Sequence, residues 1–254
     1  MRCPHVHDQP DHTYPVIYLL DADWYFGLVT ELVRMMNTRV PFCDELPDAL
    51  IVGIGYPVRG SVRDINNQVI RLRTRDLLPI QDPSSEQAIQ EFFPGLDRVE
   101  SGGGAGFMRF IEDELIPTID EMYRTDQRDR TLMGHSWGGT FALYALFMGG
   151  ELFRRFVVVS PDLPMGDGYI ERCERDYAAR HTRLPANLYI AYAEYELNEW
   201  HLPHIRPFMD ALQSRRYSGL RFFYQTFSGC RHCGVVAPAF QSGLWNVFEL
   251  PVLI

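Results

Sequence analysis

Short apolar runs alternate along the chain with longer stretches in which apolar residues recur every three or four positions, the pattern of a mostly parallel sheet flanked by helices. The runs Tyr14 to Leu20, Ala49 to Gly53, Thr131 to Met133, Phe156 to Ser160, Asn187 to Ala193 and Leu220 to Phe227 are the strands it predicts. The clearest helix runs from about Ala105 to Arg124. There Phe107, Phe110, Ile111, Leu115, Ile119, Met122 and Tyr123 keep helical spacing, while Glu112, Asp113, Asp120 and Glu121 take the other face. Pro117 predicts a kink within it. Further helices are expected at Trp24 to Met36, Gly139 to Phe147, Pro203 to Arg216 and Val235 to Phe248.

Two regions lack this periodicity. Residues 1–13 read as an N-terminal tail. Residues 56–104, rich in Arg, Asp, Pro and Gly and closing on Ser101-Gly-Gly-Gly104, read as surface loops near the active site. With no internal repeat or linker between two cores, the 254 residues are expected to form a single α/β domain.

Composition narrows the function. The 24 basic and 33 acidic side chains leave a net charge of −9, which repels a phosphate backbone and an anionic bilayer, so neither nucleic acid nor membrane is an expected partner. Every basic residue is arginine. Schiff-base chemistry, the phosphate-loop lysine and the Ser-x-x-Lys dyad are therefore excluded. The five cysteines (Cys3, Cys43, Cys173, Cys230 and Cys233) are too few and odd in number for a disulfide framework and read as reduced thiols. No apolar run reaches the roughly 18 residues of a membrane span, and the polar start from Met1 to His12 is unlike a signal peptide. A cytoplasmic location is expected.

The chemistry centres on Gly134-His-Ser136-Trp-Gly138, lying between an apolar strand and the helix Phe141 to Phe147. A nucleophilic serine at such a turn takes strained backbone, and glycines two before and two after it remove the Cβ atoms that would collide. The helix start after Ser136 also aims N–H groups and a positive dipole end at a developing oxyanion. Such a serine needs a histidine base and a carboxylate to orient it, following in the order Ser, acid, His. His232 falls after the last predicted strand, where the base belongs. His181, His201 and His204 suit surface or capping roles better. For the acid, Glu196 is the first choice in the cluster after Asn187 to Ala193, Glu194 its nearest competitor and Asp162 a weaker one. Backbone N–H groups of Trp137 and Asp23, with Ala22 in reserve, are the candidate oxyanion donors. Trp24, Tyr25, Trp137 and Trp200 could supply an aromatic pocket, and Arg71, Arg73 and Arg75 could meet an anionic or phenolic substrate.

Two further groupings resemble metal sites. His5, His7, Asp8, Asp11 and His12 lack the ligand interval and the preceding strand that a zinc site needs. Cys230 and Cys233 flank His232 without a second pair. No metal and no cofactor are expected.

The stretches YPVIYLLDADWYF, IVGIGYP, RTRDLLP, GGGAGFMRFIEDELIPTIDEMYRTD, RTLMGHSWGGTFALYALF, ELFRRFVVVSPDL and the late Ser-Gly-x-x-His together resemble the Putative esterase (esterase D-like) family of α/β hydrolases, nearest its siderophore and acyl-ester hydrolases. The resemblance spans Tyr14 to about Phe248. It implies an α/β-hydrolase fold, with the nucleophile on Ser136, the base on His232 and the acid on Glu196, where Ala193 replaces the glycine of the family's Gly-x-x-Glu. It places the oxyanion donors on Trp137 and Asp23. The chain departs from the family in three ways. Only 13 residues precede Tyr14, so the sheet reads as shortened at its N-terminal edge, which could offer an exposed edge for self-association. The residue after the nucleophile is Trp137 instead of a smaller aliphatic. The usual Ser-Pro-Ser-aromatic segment reads Ser160-Pro-Asp-Leu-Pro164.

The expected activity is hydrolysis of a carboxylic ester, such as a siderophore or other natural-product acyl ester or lactone, through an acyl-enzyme. An acyltransferase sharing that intermediate, or a silent scaffold used for binding, are the alternatives.

Overall fold

The computed structural model describes residues 12–38, 46–93, 95–96 and 98–248. Six strands, β1 (Tyr14–Leu19), β2 (Leu50–Gly53), β3 (Thr125–His135), β4 (Arg155–Val159), β5 (Asn187–Ala193) and β6 (Arg221–Phe227), form one sheet in the order β2-β1-β3-β4-β5-β6. Every pairing within it is parallel. The chain starts at β1, steps out to β2, then returns past β1 to build β3 through β6 in sequence. Crossovers therefore leave in opposite directions on either side of the β1–β3 pair, which opens a crevice at the carboxyl ends of those two strands.

Alternation along the strands loads both faces of the sheet. Val16, Tyr18, Leu20, Leu132, Phe156, Val158, Leu188 and Ile190 point into one core, whereas Ile17, Leu19, Met133, Val157, Val159, Tyr189 and Ala191 point into the other. The helices α1 (Ala22–Met36) and α9 (Val236–Val247) cover the second face. The first face is covered by α4 (Gly104–Phe110), α5 (Ile116–Met122), α6 (Trp137–Met148), α7 (Met165–Ala178) and α8 (Leu202–Arg215). Helix α6 is buried from Gly138 to Phe147, so it is apolar on all sides and anchors the residue just before it, Ser136, to the centre of the molecule.

The helix expected from about Ala105 to Arg124 is present with a π turn, Ile111–Leu115, between α4 and α5. Pro117 sits in the first turn of α5. It has no N–H to donate one turn back, and the wider turn absorbs the mismatch.

The largest correction concerns residues 56–104. Instead of surface loops, they contain α2 (Val62–Leu77) and α3 (Pro83–Phe92). Ser61 and Asp64 form a reciprocal capping box at the start of α2, and Asp82 caps α3 ahead of Pro83. Helix α7 was not expected either. Its first turn passes through left-handed backbone at Gly166, Asp167 and Gly168, and charged residues interrupt its apolar spacing.

No helix among the described residues is long and apolar enough to cross a membrane. His5, His7, Asp8 and Asp11 of the histidine-rich start lie outside the described residues, as do Cys3 and Cys43; Cys173, Cys230 and Cys233 carry free thiols.

Candidate active site

Ser136 stands between β3 and α6 at φ 57° and ψ −125°, a conformation that only a tightly held L-residue keeps. Its N–H donates to the carbonyl of Val159 at 2.9 Å, which ties the turn to the neighbouring strand. A Cβ on Gly134 would lie 2.2 Å from the carbonyl oxygen of Gly138 and 2.8 Å from the nitrogen of Gly139, so the turn closes only around glycine. At Gly138 the nearest obstacle to a side chain is the Asp21 carboxylate, at 3.1 Å.

His232 follows β6 and contacts Glu196 through Nδ1. Glu196 belongs to a short 3-10 turn, Glu194–Glu196, directly after β5. Its other oxygen accepts the Ser160 hydroxyl at 2.6 Å and the N–H of Ala193 at 2.8 Å. Burial opposes the charged form of this carboxylate, but the donors His232, Ser160 and Ala193 outweigh it and hold the pKa below the usual glutamate value. Glu194 is exposed and accepts the N–H of Gly229 at 2.7 Å, so it braces the loop that carries His232 instead of touching the imidazole. Ser136, His232 and Glu196 all line one cavity of about 490 Å³, together with Trp137, Asp162 and Trp200.

A second imidazole supports the first. His135 is buried and its ring lies 4.4 Å from that of His232, centroid to centroid. Its Nε2–H donates to the carbonyl of His232 at 2.9 Å, which leaves Nδ1 to accept the Tyr25 hydroxyl, also at 2.9 Å. Burial, and then the proximity of His232, push its pKa down to about 3, so the ring is neutral in the fold. Nothing in the spacing of the sequence marks this residue beyond its place before the serine.

The loop after β1 reaches the same crevice. Asp21 caps α1 in left-handed backbone at φ 53° and forms a buried two-pronged ion pair with Arg73 of α2, at 2.9 and 2.8 Å. The Arg73 guanidinium lies 4.8 Å from the centroid of Trp137 and 5.1 Å from that of Trp24. The N–H of Ala22 is taken by the carbonyl of Ile54 and that of Trp24 by the carbonyl of Asp21. No main-chain oxygen among the described residues takes the N–H of Asp23, whose side chain accepts the N–H of Tyr56.

Of the aromatic and arginine residues expected around the substrate, Trp137 and Trp200 line the cavity, whereas Trp24, Tyr25 and Arg73 do not. Tyr25 holds His135, and Arg73 is committed to Asp21 and two indoles. Arg71 and Arg75 line separate hollows. Asp23 likewise borders a separate, smaller hollow with Ala22 and Phe26. The former loop region supplies part of the cavity wall through Asp82, Ser85, Ile89 and Phe92 of α3 and its cap.

A strained serine raised above the carboxyl end of a central strand, on a parallel sheet wrapped by helices, defines an α/β hydrolase. Known proteins narrow that class. The family described as Putative esterase matches residues 1–179. The chain is 31% identical over 248 residues to the ferri-bacillibactin esterase BesA of Bacillus subtilis (strain 168), an alignment covering 96% of this chain and 78% of that protein. Among solved structures, the BES protein from Bacillus cereus superposes with a TM-score of 0.76 at 24% identity, covering 97% of this chain and 85% of the other. An IroE-like serine hydrolase from Shewanella oneidensis gives 0.76 at 25% identity over 98% and 74%. The chain belongs to the Putative esterase family, on the branch that holds the siderophore hydrolases, and is an ester hydrolase of that family.

Proposed function

We propose that the protein hydrolyses carboxylic esters of the siderophore type through an acyl-enzyme formed on Ser136. The observation that carries this reading is the Glu196–His232 contact beside the same cavity that the strained Ser136 lines. His232 takes the serine proton as the hydroxyl attacks the ester carbonyl, then returns it to the departing alcohol; water repeats the sequence on the acyl-enzyme. Glu196 orients the imidazole and balances the charge it acquires, while the donors on Glu196 keep its own charge in place. The N–H of Trp137, which follows Ser136 at the start of α6, is assigned to the developing oxyanion. Asp23, the second donor the sequence suggests, borders a separate hollow and its N–H is taken by its own carboxylate, so it is not given that role. The siderophore assignment is supported by the relative named for a ferri-siderophore ester.

A fluorophosphonate probe tests the mechanism directly. The expected result is a single adduct on Ser136, with turnover of chromogenic acyl esters falling on the order of 10³-fold or more in S136A. An unlabelled protein that still hydrolyses esters would overturn the acyl-enzyme; one that is both unlabelled and inactive would point to a silent scaffold.

A further inference from the structure

The base is held in place at two levels. Glu196 aims its imidazole, but the His232 side chain is 49% exposed, so packing alone does little to fix where the residue sits. Its loop is tied near the start, where Gly229 donates to Glu194 at 2.7 Å and the carbonyl of Cys230 accepts from the N–H of Tyr195 at 3.4 Å. At His232 itself, the backbone carbonyl accepts the Nε2–H of His135 at 2.9 Å. His135 is the last residue of β3 and the direct neighbour of Ser136. One hydrogen bond therefore joins the turn that carries the nucleophile to the loop that carries the base.

That bond lasts only while the His135 ring keeps its orientation. A carbonyl can only accept, so Nε2 holds the proton of the neutral ring and Nδ1 is left as a bare acceptor inside the protein. Tyr25, in the first turn of α1, supplies the donor for it at 2.9 Å. Burial, with a further push from Asp21, raises the Tyr25 pKa to about 12, so the hydroxyl keeps the proton it donates. The phenol ring is itself fixed, edge-on to His135 at 5.7 Å and to Phe240 of α9 at 5.8 Å between centroids. Without the hydroxyl, Nδ1 would be a buried acceptor with no donor, and turning the ring to relieve it breaks the bond to His232.

Resting on the esterase reading above, we infer that Tyr25 is a positioning residue of the reaction: its hydroxyl locks the His135 ring onto the carbonyl of His232 and so holds the base in register with Ser136. Tyr25 does not line the cavity, so its effect falls on the chemical step instead of on substrate binding. Proton transfer from the serine is sensitive to this register, since a small misplacement of reacting groups lowers the rate steeply.

Y25F removes the hydroxyl and keeps the ring with its edge contacts. With 4-nitrophenyl butyrate as substrate, kcat should fall about threefold to tenfold, the range of one buried hydrogen bond, while KM changes by less than about twofold. A double-substitution cycle with H135L, which removes both bonds of the relay, reads the coupling: Y25F should bring no further loss of kcat in the H135L background. Long-range proton–nitrogen-15 spectra of the imidazoles report the relay without reference to turnover. In the wild type His135 should carry its proton on Nε2 in slow exchange with water, and in Y25F that proton should exchange at least about tenfold faster. An unchanged kcat or an unchanged exchange rate in Y25F, a loss carried by KM, additive losses in the cycle, or a wild-type proton on Nδ1 would each overturn the inference. Should H135L fail to fold, the kinetics and spectra of Y25F decide alone. If wild type and S136A hydrolyse the ester alike, the esterase reading itself fails, whereas the spectra still report whether Tyr25 holds His135.

Discussion

Replacing His135 by glutamine should flatten the acid side of the stability curve. In the fold this imidazole is neutral, held at about pKa 3 by burial and by His232, whereas in the unfolded chain it titrates near 6.5. Because the folded value is the lower one, the unfolded state binds the extra proton as the solution is acidified. The stability that the neutral ring permits is therefore complete above about pH 6.5 and is lost progressively until about pH 3. At about 1.36 kcal/mol per pH unit, the loss attributable to this one group is about 2.7 kcal/mol at pH 4.5 and about 5 kcal/mol over the whole window. Glutamine can still offer an N–H to the carbonyl of His232 but takes up no proton. Urea unfolding of both proteins, followed by tryptophan fluorescence at pH 7.5 and pH 4.5, isolates the effect, since carboxylates common to both cancel in the difference. The wild type should lose about 2.7 kcal/mol more than H135Q on acidification. Equal losses, within about 0.5 kcal/mol, would mean that the ring is solvated or already charged in the native protein, and the argument for a neutral brace behind His232 would fall.

Arg73→Met should cost about 3–5 kcal/mol in denaturant unfolding, because it leaves the Asp21 carboxylate buried without its partner. Adding Asp21→Asn to that variant should restore most of the loss, and a strictly additive pair of substitutions would contradict the coupling. Ser160→Ala removes one hydroxyl from Glu196, worth about 1.5–3 kcal/mol as a hydrogen bond to a charged group. The Glu196 carboxyl lies below its usual value in the fold, so its contribution is present at neutral pH and is lost as pH falls through that depressed value; S160A should raise the pH midpoint of acid unfolding and lower kcat with little change in KM. An unmoved acid midpoint with unchanged kcat would show that Ser160 does not bear on Glu196.

Much of the framework was legible in the linear chain, for local reasons. β5 coincides with its expected run, and β1, β2 and β4 differ from theirs by a residue at one end or both, because a strand buried within the sheet is apolar nearly throughout. β6, an exposed edge strand, also lies within a residue of its expected run, on the strength of its aromatic and β-branched residues. The serine turn was legible because its backbone can be closed only by glycine at Gly134, a demand visible in five consecutive letters. Helix α2 was missed because it hides polar groups. Among its buried residues are Arg73, Thr74 and Asp76, which erase the apolar stripe that periodicity detects. Signals did exist in Ser61-x-x-Asp64 and in Asp82-Pro83, both helix-start patterns, and they would have recovered α2 and α3.

What the sequence by itself determined was the alternation of strand and helix, the strained turn at Ser136 and the order in which serine, carboxylate and histidine follow one another. Each of these depends on residues within a few positions of one another, or on order alone. Which carboxylate meets His232 was decided by the tertiary structure, since Glu194 and Glu196 are two residues apart on one short turn and only the folded chain sends the first to Gly229 and the second to His232. The same holds for Arg73, whose partner lies 52 residues away, and for His135, whose ring finds Tyr25 across 110 residues and the carbonyl of His232 across 97. A buried charge or a neutral imidazole is defined by what replaces its water, and those replacements come from segments that only the folding of the sheet brings together.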